Sequence, residues 1–233
     1  MGYPPRVLKS KVRLKRALLS CYDKTGLDKL AKVLSKEANI ELIASGGTAK
    51  HLKNAGLKIT SVEEITNFPE MPGGMVKTIH PKIHAMILAE INTSKELVDK
   101  TNPDQLQFLK NHEIKPIDFV VCNLYPFKET VIKQSSIEAC RSQIDIGGPA
   151  LIRAAAKNYP RVAVITNPDQ YEHFLRQIEK QDWRTTFEQR VELAKQAFQA
   201  IAEYDYQIAK FMENVSQNLD RSKQFYLIEE KKK

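Results

Sequence analysis

Residues 40–56, IELIASGGTAKHLKNAG, set an apolar run directly before Ser45-Gly46-Gly47 and a helical pattern directly after it. Ile40 to Ala44 reads as a strand, the serine and glycines as a tight turn, and Thr48 to Asn54 as a helix that Gly56 ends. The same phrase comes just before. ALLS (17–20) reads as a strand and CYDKTG (21–26) as a turn, after which Leu27, Leu30, Ala31 and Leu34 recur at helical spacing. This strand-helix-strand-helix alternation predicts an α/β fold, a mainly parallel sheet with helices on its faces.

Downstream, Lys58 to Val62 reads as a short strand, Asn67 to Lys82 as a long irregular loop, and residues 92–116 as polar and helical in part. Ile117 to Leu124 is a buried strand running into Tyr125-Pro126. A further loop reaches Gly148, Pro149 opens a helix through Lys157, and Arg161 to Thr166 is the next strand. After Pro168 the chain turns helical. Phe187, Val191, Ala194, Phe198, Ile201, Asp205, Ile208 and Met212 alternate steps of four and three, so one long helix carries an apolar stripe for its own domain or a partner subunit. Residues 1–15 read as a basic extension, 16–215 as one domain and 216–233 as a polar tail.

Charge points to the same division. The 233 residues carry a formal charge of +8, but residues 1–16 hold six Lys/Arg and no acid, and three lysines close the chain. The body is therefore close to neutral. With no RNP, zinc-finger or recognition-helix pattern, nucleic acid is not an expected partner. No apolar run approaches the roughly 20 residues needed to cross a bilayer, and no signal-peptide pattern opens the sequence, so a cytoplasmic location is expected. Cys21, Cys122 and Cys140 stand far apart without a CxxC, as reduced thiols would.

Ligands of doubly wound sheets collect outside the carboxyl ends of the strands, and the informative stretches fall there. After the first strand come Ser20, Cys21, Tyr22, Asp23 and Lys24; after the second, Ser45-Gly46-Gly47-Thr48. A phosphate suits the second stretch: glycines let backbone N–H groups approach, two hydroxyls stand by, and a helix start faces the charge. A tight turn with a helix cap suits it equally. The loop PGGMVKTIHP (72–81) offers Lys77 and Thr78 behind a glycine pair. His80 and His84 are four apart, but Pro81 makes His80 a cap-region residue and no HExxH accompanies them, so no metal is expected. Finally Asn123, Tyr125, Asp145, Gly147-Gly148 and Lys157 surround a helix start that suits an oxyanion, or simply a capped buried helix.

Taken in order, DKTGL (23–27), SGGT (45–48), NFPEM (67–71), VKTIHPKIHA (76–85), CNLYPF (122–127) and QIDIGGPALIRAAAKN (143–158) closely resemble the inosine monophosphate cyclohydrolase domain of the bifunctional purine-biosynthesis enzyme family. The resemblance covers roughly residues 16–213. It implies a methylglyoxal-synthase-like three-layer α/β/α fold with a long C-terminal helix. It also implies dehydrative closure of 5-formamidoimidazole-4-carboxamide ribonucleotide to inosinate, without metal or cofactor. By the same resemblance Lys24, Ser45, Gly46, Gly47, Thr48 and Thr78 look like the 5′-phosphate cradle, Lys77, Tyr125, Asp145 and Lys157 like the catalytic group, Asn123 and Gly147 like contacts to the base, and Ser20 like a further substrate-binding residue. Lys157 is expected to polarise the formyl oxygen, with Asp145 as its orienting or proton-accepting partner and Lys77 and Tyr125 relaying protons.

A homodimer is the family's habit, and formyl transfer would come from a separate chain or from a region missing here. Two positions depart from the pattern: Met75 where the family usually has arginine, and Tyr22 where it often has serine. The same fold also serves nucleotide sensing without turnover, and methylglyoxal synthase shares the cradle.

Overall fold

The computed structural model describes residues 10–71, 76–91, 103–133 and 136–217. Met75, residues 92–102 and the tail beyond 217 lie outside them. A five-stranded sheet forms the centre, in the order β4 (Thr60–Ser61), β3 (Glu41–Ala44), β2 (Arg16–Cys21), β5 (Phe119–Asn123), β6 (Ala163–Ile165), with every pairing parallel. The order reverses at β2, so the crevice between the carboxyl ends of β2 and β5 is the topological switch point where such sheets take ligands.

Alternation along β2 explains the layers. Ala17, Leu19 and Cys21 point to one face, where they pack with Leu27, Leu30, Ala31 and Leu34 of α1 (Leu27–Lys36), Leu52 of α2 (Gly46–Asn54) and Phe174 of α9 (Tyr171–Glu179). Leu18 points to the other, against Ile83 and Ile87 of α4 (Pro81–Leu88), Leu151 and Ile152 of α8 (Gly147–Lys157) and Ala197 and Ile201 of α10 (Phe187–Gln217). The expected helical stripe of α1 is buried in full.

Several boundaries move. Residues 11–15 are not a detached extension: Lys11–Arg13 form β1, antiparallel to β7 (Arg184–Thr186), with Val12 and Leu14 buried. The expected strand at 58–62 shrinks to β4, because the Ser61 hydroxyl accepts the Glu64 N–H (3.1 Å) and starts α3 (Val62–Thr66). Between β5 and α8 the expected loop contains α6 (Phe127–Ile132) and α7 (Ile137–Ser142); α5 spans Pro103–Asn111. Gly46-Gly47 and Gly147-Gly148 open α2 and α8, two residues before the expected starts at Thr48 and Pro149.

In α10 the buried face is Arg190, Ala194, Ala197, Ile201 and Tyr204, rotated from the stripe read in the sequence. Val191, Phe198 and Met212 are left 41 %, 40 % and 50 % exposed.

At the amino end of the strands sits a buried ion pair, Arg161 Nη1 to Asp118 Oδ1 at 3.1 Å. Every N–H of the guanidinium is used: Nε donates to the Ala89 carbonyl, Nη1 to Ile117 and Asp118, and Nη2 to Met86 and Ile87. Asp118 Oδ2 accepts the Lys15 and Arg16 N–H groups in turn. The pair thus satisfies the last carbonyls of α4 and joins them to the starts of β2 and β5. Burial raises the Asp118 carboxyl above its usual range, opposed by Arg161 and the two N–H donors. Replacing Arg161 with methionine leaves a buried carboxylate and several carbonyls without partners, and is expected to cost about 3–5 kcal/mol, read by urea denaturation.

Candidate functional site

All five parallel strands end on one rim, and the sequence-predicted groups must be placed against it. The turn after β2 is held across the switch point by Asn123: its Oδ1 accepts the Asp23 N–H (2.9 Å) and its Nδ2 donates to the Asp23 carbonyl (2.8 Å). Thr48 makes a similar tie from the neighbouring strand end, its hydroxyl accepting from Cys21 N–H (3.0 Å) and donating to Cys21 carbonyl (3.1 Å). Two polar residues expected to face a ligand therefore shape the rim by holding its first turn. Ser20 is half-buried opposite Cys122 in the register, and Lys24 Nζ donates to the Tyr22 carbonyl at 3.1 Å.

Gly46 explains the opening sequence directly. Its φ is +47°, a left-handed conformation that favours glycine, and the flexible end of the Lys77 side chain lies across the start of α2 where a Cβ would otherwise stand. An added Cβ on Gly47 would meet nothing within 4 Å, which leaves that backbone open, beside the buried Ser45. An ammonium at a helix start meets the positive end of the helix dipole. Glu70 offsets it, its Oε1 2.8 Å from Lys77 Nζ. Glu70 lies in the NFPEM stretch but went unassigned from sequence; a carboxylate seven residues before a lysine in a loop carries no periodic signal.

The next residue reaches the second helix. Thr78 is buried, and its Oγ1 would lie 3.3 Å from a Cβ on Gly147, at the start of α8. Lys77 and Thr78 thus link the starts of α2 and α8. Pro81 opens α4 as expected, and His80 caps it, Nδ1 accepting the Lys82 N–H at 3.1 Å.

Of the two readings open for the α8 start, an oxyanion site or a capped helix, the side chain of Asp145 supports the second. Asp145 Oδ1 accepts the Gly148 N–H at 2.9 Å, and a Cβ on Gly148 would fall 2.4 Å from Oδ2. Burial pushes the Asp145 carboxyl above the usual range, while the N–H groups of Gly148 and Gly147 pull it back. The loop carrying it is tied to α10: the Tyr204 hydroxyl accepts the Asp145 N–H (2.8 Å) and donates to the Gln143 carbonyl (2.9 Å). Sequence reading missed Tyr204 because it lies one residue outside the stripe. Its polar tip on an otherwise apolar face was the available signal.

Tyr125, at the end of β5, packs edge-on against Tyr22 at a centroid distance of 5.2 Å and an interplanar angle of 81°. The departure at position 22 therefore sits on a candidate catalytic side chain. Lys157 is exposed at the far end of α8, ten residues and about 15 Å from Gly147 by helix rise. Among the described residues no cluster of three or more His, Cys, Asp or Glu could hold a metal, and no helix is long and apolar enough to cross a membrane.

Comparison with known proteins gives a family. A model described as MGS-like domain matches residues 26–150, and one described as AICARFT/IMPCHase bienzyme matches residues 155–233. The bifunctional purine biosynthesis protein PurH of Cutibacterium acnes is 48 % identical over 196 residues, covering 84 % of this chain and 36 % of that protein. PurH of Mycobacterium ulcerans is 43 % identical over 201 residues, covering 86 % and 36 %. The chain thus spans about a third of the length of the curated relatives it matches. The crystal structure of ForH is similar with a TM-score of 0.69 and 27 % identity, over 85 % of this chain and 99 % of that one. With more than half of its residues matched by the first model, on a parallel sheet flanked by helices, the chain belongs to the MGS-like domain family.

Proposed function

We propose that this chain is an inosinate cyclohydrolase acting on 5-formamidoimidazole-4-carboxamide ribonucleotide. The observation that carries the reading is the Lys77-Thr78 step, which joins two helix starts on one rim, one with open glycine backbone and one bearing a half-buried carboxylate. A substrate with a phosphate at one end and a carboxamide and formamido pair at the other fits such a span. The phosphate lies on the start of α2, among Ser45, Gly46 and Gly47, where an anion replaces Glu70 as the counter-charge of Lys77.

In the reaction the carboxamide nitrogen bonds to the formyl carbon and the formyl oxygen leaves as water. One proton comes from the carboxamide nitrogen and one from the formamido nitrogen. Holding the two arms of the molecule in a near-attack pose lowers the barrier to closure. Asp145 accepts the carboxamide proton, Lys77 stabilises the oxygen that gains charge, and Tyr125 relays a proton to it. Lys157 has no part in this path, being three helical turns away. No cofactor enters the scheme.

The chain works in the cytoplasm as a homodimer. Support for a second copy comes from α10, where Val191, Phe198 and Met212 recur every seven or fourteen residues on an exposed edge. Phe198→Glu is expected to shift the sedimenting species from dimer to monomer; an unchanged coefficient at the monomer value in the parent chain would remove the dimer from the account.

Turnover decides the function. The purified chain is expected to convert the formamido ribonucleotide to inosinate, and binding without conversion would make it a sensor. Asp145→Asn and Lys77→Ala should each lower kcat by about 100-fold or more, and Lys157→Ala should lose far less than Asp145→Asn. Because Asp145 must be ionised to accept a proton and burial raises its pKa, kcat/KM should fall on the acid side at a pH above the ordinary carboxylate range. Asp145→Asn should abolish that limb in a pH-rate profile.

A further inference from the structure

We infer that Tyr204 of α10 is a positioning residue for Asp145, setting where the carboxylate stands in the ring closure proposed above, on which this inference rests. Its hydroxyl touches no reacting atom in that scheme. It accepts the Asp145 N–H at 2.8 Å and donates to the Gln143 carbonyl at 2.9 Å, so one oxygen fixes the backbone on both sides of Ile144.

The anchor itself is rigid. Tyr204 is 9 % exposed, its ring meets Phe127 of α6 edge-on at 6.2 Å, and Phe127 meets Phe211, one helical stretch further along α10, at 5.5 Å. The Asp145 carboxylate is then held at its other end by the Gly148 N–H. Backbone and side chain of the same residue are thus fixed from two different helices. Burial raises the Tyr204 hydroxyl to about 12, so it keeps its proton, and with it both hydrogen bonds, throughout the neutral range. Backbone precision of this kind matters to a proton acceptor, because a displacement of about 1 Å costs up to 100-fold in rate.

The test uses the whole chain and two readouts. Tyr204→Phe keeps the ring packing and removes only the hydroxyl. Expected are a folded protein, a kcat lower by about 10- to 100-fold, and a KM within about twofold of the parent, the split that marks lost transition-state geometry rather than lost binding. In the parent chain, the Asp145 amide is expected to resist hydrogen exchange as the amides inside α8 do. A folded Tyr204→Phe with parental kcat would overturn the inference, as would an Asp145 amide that exchanges at the rate of an open loop. The exchange measurement needs no variant, so it can overturn the inference even where the substitution prevents folding. A parent chain that fails to convert the ribonucleotide would sink the proposed function instead, an outcome distinct from an active parent with an equally active variant.

Discussion

The buried guanidinium of Arg161 is the constraint on which the site depends, although it lies at the opposite end of the sheet. It gathers the last carbonyls of α4, the carbonyl of Ile117 and the carboxylate of Asp118, and Asn158 adds a second set of donors to Ile87 and Ala89. An eight-residue helix is short and stiff, so fixing its carboxyl end fixes its amino end about 12 Å away. That amino end is His80-Pro81, with His80 two residues after Thr78. The loop that spans the two helix starts is therefore placed by a charge pair buried below the sheet, not by contacts at the rim alone.

At the rim, charge is arranged against local preference. Lys77 lies over the positive end of α2, with Glu70 as its counter-charge, and Asp145 covers the N–H groups of α8 that would otherwise receive an anion. Gly148 leaves room for the Asp145 carboxylate and Leu124, and Gly46 is set by its positive φ. A phosphate arriving at α2 would take over the role of Glu70, whereas the α8 start presents a fixed carboxylate. The two ends of the crevice thus differ in kind, one suited to an anion and the other to a proton donor.

Much of the fold could be read from the sequence because the signals were periodic: the α1 stripe, the strand before SGGT and the apolar run of β5 are all where the pattern put them. The β1–β7 pair was not legible, since KVR and RTT are three-residue strands with one buried position each. The α10 stripe was misread by about one residue because Arg190 and Tyr204, both buried, interrupt its apolar text with polar atoms that find partners only in the folded chain. Arg161 and Asp118 stand 43 residues apart with nothing local to link them. For the site, the resemblance supplied residue names without distances. It grouped Lys157 with Asp145, and helix length alone separates them; it passed over Glu70 and Tyr204, which act on other residues.

The central claim is that one ligand spans both helix starts. It is tested most directly by titrating inosinate into isotope-labelled protein and following the backbone amides of Gly46, Gly47, Gly147 and Gly148. The account predicts that all four shift together along one saturating curve. Movement at Gly46 and Gly47 with Gly147 and Gly148 unmoved would contradict it, leaving a phosphate site without a place for the base.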